Sequence, residues 1–113
     1  MPEGSDQVKG KPVKMVWAVV RWTVLKEIER GLFEIGERSF SVTKVRGFEI
    51  VGNLNSESDL VDHLEITLVT QESRVGKIKA IILSGARTGN PGDGVIAVLP
   101  VEEFQRIRDA KEI

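Results

Sequence analysis

At 113 residues, 41% hydrophobic and 29% charged, the chain has the make-up of one ordinary globular domain. A net charge of −1, with both signs interspersed, provides no basic face for nucleic acid or anionic membrane. The absence of cysteine excludes disulfides, thiolate catalysis and zinc–thiolate sites, and no apolar run approaches the roughly 18 residues needed to span a bilayer.

Residues 1–12 hold two prolines, two glycines and mixed charges without apolar periodicity, which predicts a flexible N-terminal arm. The first residues lack the apolar segment of a signal peptide, so a cytoplasmic location is expected. Residues 13–113 form the single expected domain. The run Met15-Val16-Trp17-Ala18-Val19-Val20 suits a strand covered on at least one face. Thr23 is placed to cap a helix in which Leu25, Ile28, Leu32 and Ile35 recur at helical spacing, with Gly36 at its end. Phe40 to Val45 alternates as a second strand, and residues 46–59 make a long polar connection. Asp62 to Leu68 alternates strictly, with Leu64, Ile66 and Leu68 on one face and His63 on the other. A second helix follows Thr70, burying Val75, Ile78 and Ile82 and stopping near Gly85 or Gly89. Val95 to Leu99 is the last strand.

The order β-α-β-β-α-β predicts an α+β, ferredoxin-like plait: a four-stranded antiparallel sheet with both helices on one face. The first strand carries apolar side chains on both faces, so the sheet face without helices calls for a cover of its own.

The candidate site lies between residues 84 and 108. Thr88-Gly89-Asn90-Pro91-Gly92-Asp93-Gly94 is a glycine-rich loop between the second helix and the last strand, and Arg106 and Arg108 stand two apart beyond a Pro-Val-Glu-Glu turn. Glycines let backbone N–H groups approach an anion, and arginines bring forked, charged donors. Each element alone has a plainer explanation. The loop is not a P-loop, since no Gly-Lys-Ser/Thr follows, and it serves equally as a helix-to-strand reversal. The arginines taken alone are a solvated tail.

Together they resemble the PII signal-transduction family, whose members carry a glycine loop, strand, Pro-Val-Glu turn and Arg-Ile-Arg in this order. Ser41-Val42-Thr43-Lys44-Val45-Arg46-Gly47-Phe48 is similar to the family's second strand, and the likeness runs from residue 14 to about 108. The resemblance implies a homotrimer with ADP, AMP or ATP in clefts between subunits. Ser41 would lie near the adenine and Gly47 at the cleft. Thr88 and Gly89 would shape the loop, Gly92, Asp93 and Gly94 would cradle phosphates, and Arg106 and Arg108 would neutralise them. Residues 47–60 correspond to the family's partner-docking T-loop, 86–95 to its phosphate-binding loop and 101–110 to its C-terminal loop. The implied partner is an unnamed transporter or metabolic enzyme.

The departures from the family pattern narrow the reading. Val95 stands where members usually have Lys, and Glu49-Ile50-Val51 where Gly-Arg-Gln normally continues. His63, the one histidine, replaces a lysine that pairs with 2-oxoglutarate. The 47–60 loop is short, and with no tyrosine anywhere its uridylylation is impossible; Ser56 and Ser58 are its hydroxyl residues. These features resemble the family's branches associated with carboxysomes or bicarbonate transport, which implies bicarbonate as second effector and ADP or AMP competing well with ATP. His63 is either a structural residue at a subunit contact or an anion or pH sensor. No nucleophile–base pair or metal-ligand cluster stands out, so neither an enzyme nor a resident metal or cofactor is expected. The alternative is a trimeric plait protein with a structural or metal-tolerance role that binds no nucleotide.

Overall fold

The computed structural model describes residues 12–47 and 61–109. The expected arm, Pro12 apart, and the expected 47–60 loop, Gly47 apart, lie outside these residues, and Ser56 and Ser58 with them.

The elements follow the expected order: β1 (Val13–Arg21), α1 (Leu25–Glu34), β2 (Ser41–Gly47), β3 (Val61–Gln71), α2 (Glu72–Ala86) and β4 (Gly94–Pro100). The strands form one antiparallel sheet in the order β2-β3-β1-β4, the arrangement of a ferredoxin-like plait. Its core is made by alternation. Val16, Ala18 and Val20 of β1 and Ile66 and Leu68 of β3 are buried against Ile28 and Leu32 of α1 and Ile78 and Ile82 of α2. These side chains recur every second residue on the strands and every fourth on the helices, the two periods that put them on one side. Leu64 and Val75 pack on the rim of this cluster, half-buried, so Val75 is less enclosed than its spacing suggests.

Thr23 is not a helix cap. Trp22–Val24 forms a 3-10 turn that follows β1 without a break, so Thr23 already lies inside a turn, and neither Arg21 nor Val24 makes a side-chain capping bond. The other end of α1 is as expected. Gly36 adopts φ +85, the Gly36 N–H donates to Phe33 O at 3.0 Å, and the Glu37 N–H reaches Leu32 O at 2.9 Å, a Schellman closure. Arg74 of α2 then donates to Ile35 O at 2.7 Å and to Glu37 Oε2 at 2.9 Å, tying the start of α2 to the end of α1.

The opposite sheet face carries Met15, Trp17 and Val19 of β1, their register partners Leu99, Ala97 and Val95 of β4, and Glu65, Thr67 and Val69 of β3. Val95 and Leu99 each keep 39% of their surface exposed. The indole N–H of Trp17 donates to Glu65 Oε2 at 2.6 Å, which gives the half-buried ring its polar partner on this face.

Candidate functional site

The loop between α2 and β4 is organised by Asp93. Its carboxylate accepts from the Thr88 hydroxyl (2.5 Å), the Thr88 N–H (2.7 Å), the Gly89 N–H (2.9 Å) and Arg21 Nε (3.3 Å). Arg21 also donates to Pro91 O at 2.6 Å. The Thr88 hydroxyl bond is the largest cause holding the Asp93 carboxyl well below the usual carboxylate range. Burial opposes it, and the two N–H bonds and Arg21 add to it. The role implied for Asp93 therefore changes. Its side chain is turned onto the loop's own donors and braces the turn, so contacts to a phosphate from residues 92–94 have to come from backbone N–H groups.

Gly94 shows why the loop is written in glycine. It has φ +111, and a Cβ there would collide with the carbonyl of Val19 on the neighbouring strand. Only a residue without a side chain lets the loop enter β4 opposite Val20. Gly89 (φ +88) and Gly92 (φ +95) flank the same turn.

His63 lies at the foot of the loop. It is register partner of Arg21 on one side and Val45 on the other, is 3% exposed, and its Nε2 is 3.1 Å from Gly92 O. As its place in the alternation suggests, it faces away from the helices, and its burial involves contact with its own chain's loop. Beside it, Asp62 receives Arg46 at 3.0 Å and Lys44 at 3.6 Å where β2 and β3 lead into residues 48–60. These exposed pairs set register more than they add stability.

The structure brings Thr88, Gly89, Gly92, Asp93, Gly94 and His63 together. Gly47, opposite Val61, ends β2 on the same side of the sheet. Ser41 stands six residues earlier on that strand, opposite Thr67, with the two hydroxyls 2.8 Å apart. Arg106 and Arg108 are elsewhere. β4 leads away from the loop for about 20 Å at strand rise before the chain reaches Pro100, opposite Lys14 at the far end of β1. Both arginines are exposed; Arg106 precedes a 3-10 turn at Ile107–Asp109, and Arg108 within it lies 3.7 Å from Asp109.

Arg21 was missed by sequence reasoning. It reads there as the charged end of an apolar strand, and only the β1–β3 and β1–β4 pairings bring it to the loop. The signal available was the topology itself, which puts the end of β1 beside the start of β4.

A sheet covered on one face by two helices, with an internally braced glycine loop at one end and a basic segment beyond the other, defines a small α+β plait. The profile of the family described as Nitrogen regulatory protein P-II matches residues 13–111. A Nitrogen regulatory protein P-II homolog of Arabidopsis thaliana is 33% identical over 112 residues, covering 92% of this chain and 57% of the relative. The chain thus spans little more than half the length of that plant protein. The Nitrogen regulatory protein P-II of Azospirillum brasilense is 31% identical over 107 residues, covering 88% of this chain and 96% of the relative. Among solved structures, Arabidopsis thaliana PII bound to citrate superposes with a TM-score of 0.75 at 30% identity, covering 93% of this chain and 89% of that one. The chain belongs to the PII family of nitrogen regulatory proteins.

Proposed function

We propose that this protein senses adenine nucleotides, ADP, AMP or ATP, in clefts between the copies of a homotrimer, and that occupancy directs its 47–60 segment to a target protein. The observation that carries this reading is the separation of the two anion-binding elements. The braced loop and the Arg106–Arg108 segment leave opposite ends of β4, so a phosphate gripped by both lies between two chains. The open apolar sheet face supports the assembly, because Met15, Trp17, Val95 and Leu99 are the kind of surface that a second copy covers. Ser41, opposite Thr67, is the hydroxyl pair available for the base, and Gly47 admits close backbone approach at the cleft.

Two features concern the ligand. Val95 in place of a lysine takes one point charge from the phosphates, which acts most on the triphosphate. His63, and the absence of the family's Gly-Arg-Gln after Phe48, argue against 2-oxoglutarate in its usual geometry and leave bicarbonate as the second effector. The plant neighbour's bound citrate shows that a related fold accepts a small carboxylate anion. The target is a transporter or enzyme of carbon or nitrogen metabolism in the cytoplasm, and the protein acts by binding, without catalysis. No helix among the described residues is long and apolar enough to cross a membrane.

Calorimetric titration with ATP, ADP and AMP, each with and without bicarbonate and with and without 2-oxoglutarate, tests this. Micromolar nucleotide affinity that changes with bicarbonate is the expected result. Affinity that responds to 2-oxoglutarate alone overturns the effector assignment. No binding of any nucleotide returns the protein to a structural or metal-tolerance role; among the described residues no group of three or more His, Asp or Glu is placed to hold a metal.

A further inference from the structure

We propose that Arg21 is a positioning residue for the nucleotide's phosphates: from the end of β1 its guanidinium fixes the turn at Gly92, and with it the backbone donors of residues 92–94. This rests on the nucleotide reading above and adds to it the residue that readies the loop before the ligand arrives.

The loop's internal hydrogen bonds do not attach it to the sheet. Asp93 gathers the Thr88 hydroxyl, the Thr88 N–H and the Gly89 N–H, four or five residues back, and the Asn90 N–H donates to the Thr88 hydroxyl at 3.1 Å. These bonds close residues 88–93 on themselves, and a unit closed in this way can still pivot about its ends. The β1–β4 ladder stops at Val20 opposite Gly94, just short of the turn. Arg21, the next residue of β1, continues the connection with its side chain: Nε donates to Asp93 Oδ1 at 3.3 Å and Nη2 to Pro91 O at 2.6 Å. The two acceptors stand on either side of Gly92, the residue whose φ of +95 lets the chain turn there.

Position and chemistry both suit Arg21 to this task. β1 lies between β3 and β4 in the sheet, and Arg21 is registered against His63, so its backbone is fixed. Its side chain is largely covered, with 34% of its surface exposed. A guanidinium presents two parallel donors along one edge, so it can engage a carboxylate and a carbonyl together; a lysine ammonium in its place would act as a point charge. Arg21 also offsets the charge of Asp93, the carboxylate that the loop keeps turned onto itself. Removing the cation alone would leave that negative charge beside the place proposed for phosphate. Donors held ready bind an anion more tightly than donors that have to be ordered on binding, because the ordering costs free energy. Arg21 therefore acts on affinity through the loop, without touching the ligand.

The test titrates ADP into wild type, Arg21→Lys and Arg21→Gln. In the free proteins, NMR follows exchange of the Thr88 and Gly89 amide protons with water, with the β1–β3 ladder amides as the reference for the fold. ADP affinity is expected to fall by about tenfold or more in Arg21→Gln, where fork and charge are both lost, and by about threefold in Arg21→Lys, where the charge remains. The Thr88 and Gly89 amides should exchange faster in both variants, by a larger factor than the ladder amides do. If ADP affinity keeps its wild-type value while those two amides exchange faster, the brace is structural only and the positioning role is wrong. If affinity falls with no change in their exchange, Arg21 meets the ligand itself and the positioning role is equally wrong; in both cases the nucleotide site stands. If the wild type binds no ADP, the nucleotide reading fails and the positioning role falls with it. Should Arg21→Gln not fold, Arg21→Lys decides among the same outcomes.

Discussion

The 87–94 loop and the 101–109 segment contribute the two halves of one proposed site, yet they are built in opposite ways. In the loop, Asp93 collects four donors, Arg21 reaches a carbonyl, His63 contacts another, and Gly94 threads past Val19 where no side chain fits. Among the described residues, the segment beyond β4 is held by a backbone bond from the Asp109 N–H to Arg106 O and an Arg108–Asp109 pair, with Phe104 and Ile107 exposed at 49% and 92%. A loop that grips a phosphate has to exist before the ligand arrives, because disorder would take back the binding energy. A segment whose apolar and basic residues are exposed, by contrast, would serve the proposed site as a half-interface to be completed by another chain. In the proposed site this difference would divide the work, with preorganisation in one copy and presentation from the next.

The comparison breaks first at Gly94. Gly94→Ala places a Cβ on the Val19 carbonyl at a left-handed φ, and urea unfolding should show a loss of about 2–4 kcal/mol. A stable Gly94→Ala protein would show that the loop's entry into β4 is not fixed as described. Asp93→Asn comes next, since it leaves donors of Thr88, Gly89 and Arg21 without their anion. The expected cost at pH 7 is about 1–3 kcal/mol. Because the folded carboxyl is held below its unfolded value of about 3.9, its stabilisation is complete above that pH and is lost as pH falls below it. The gap between wild type and Asp93→Asn should therefore narrow steadily as pH falls from 5 toward 2, and a gap of unchanged size across that range would assign the effect to something other than charge. The smallest effect sharpens the comparison from the ligand's side. Val95→Lys adds a cation beside Gly94 and should raise ATP affinity relative to AMP about three- to tenfold by competitive titration. An unchanged ratio would place residue 95 away from the phosphates.

Much of the fold was legible because its signals are local or periodic. Ile28 and Leu32, Ile78 and Ile82, and the Leu64-Ile66-Leu68 alternation each announce a face within a few residues, and Gly36 announces a helix end. Thr23 misled because a threonine before an apolar helical pattern looks like a cap whether or not a 3-10 turn has already enclosed it. The site was legible as a composition of glycines and arginines but not as a mechanism. That Asp93 turns inward depends on donors at 88, 89 and 21, and the last of these is 72 residues away. The partner of His63 is 29 residues off, on a loop whose position follows from strand order alone. Such pairings are made by topology, and the residues themselves carry no mark of them.

The central claim is that exposed arginines beyond β4 complete an anion site they do not help to fold. Titration of ADP into wild type and Arg106→Ala, with thermal melts of both, tests it most directly. The account predicts that binding weakens by about 1–3 kcal/mol while stability changes by no more than about 0.5 kcal/mol. Wild-type affinity in Arg106→Ala, with the fold intact, would contradict it.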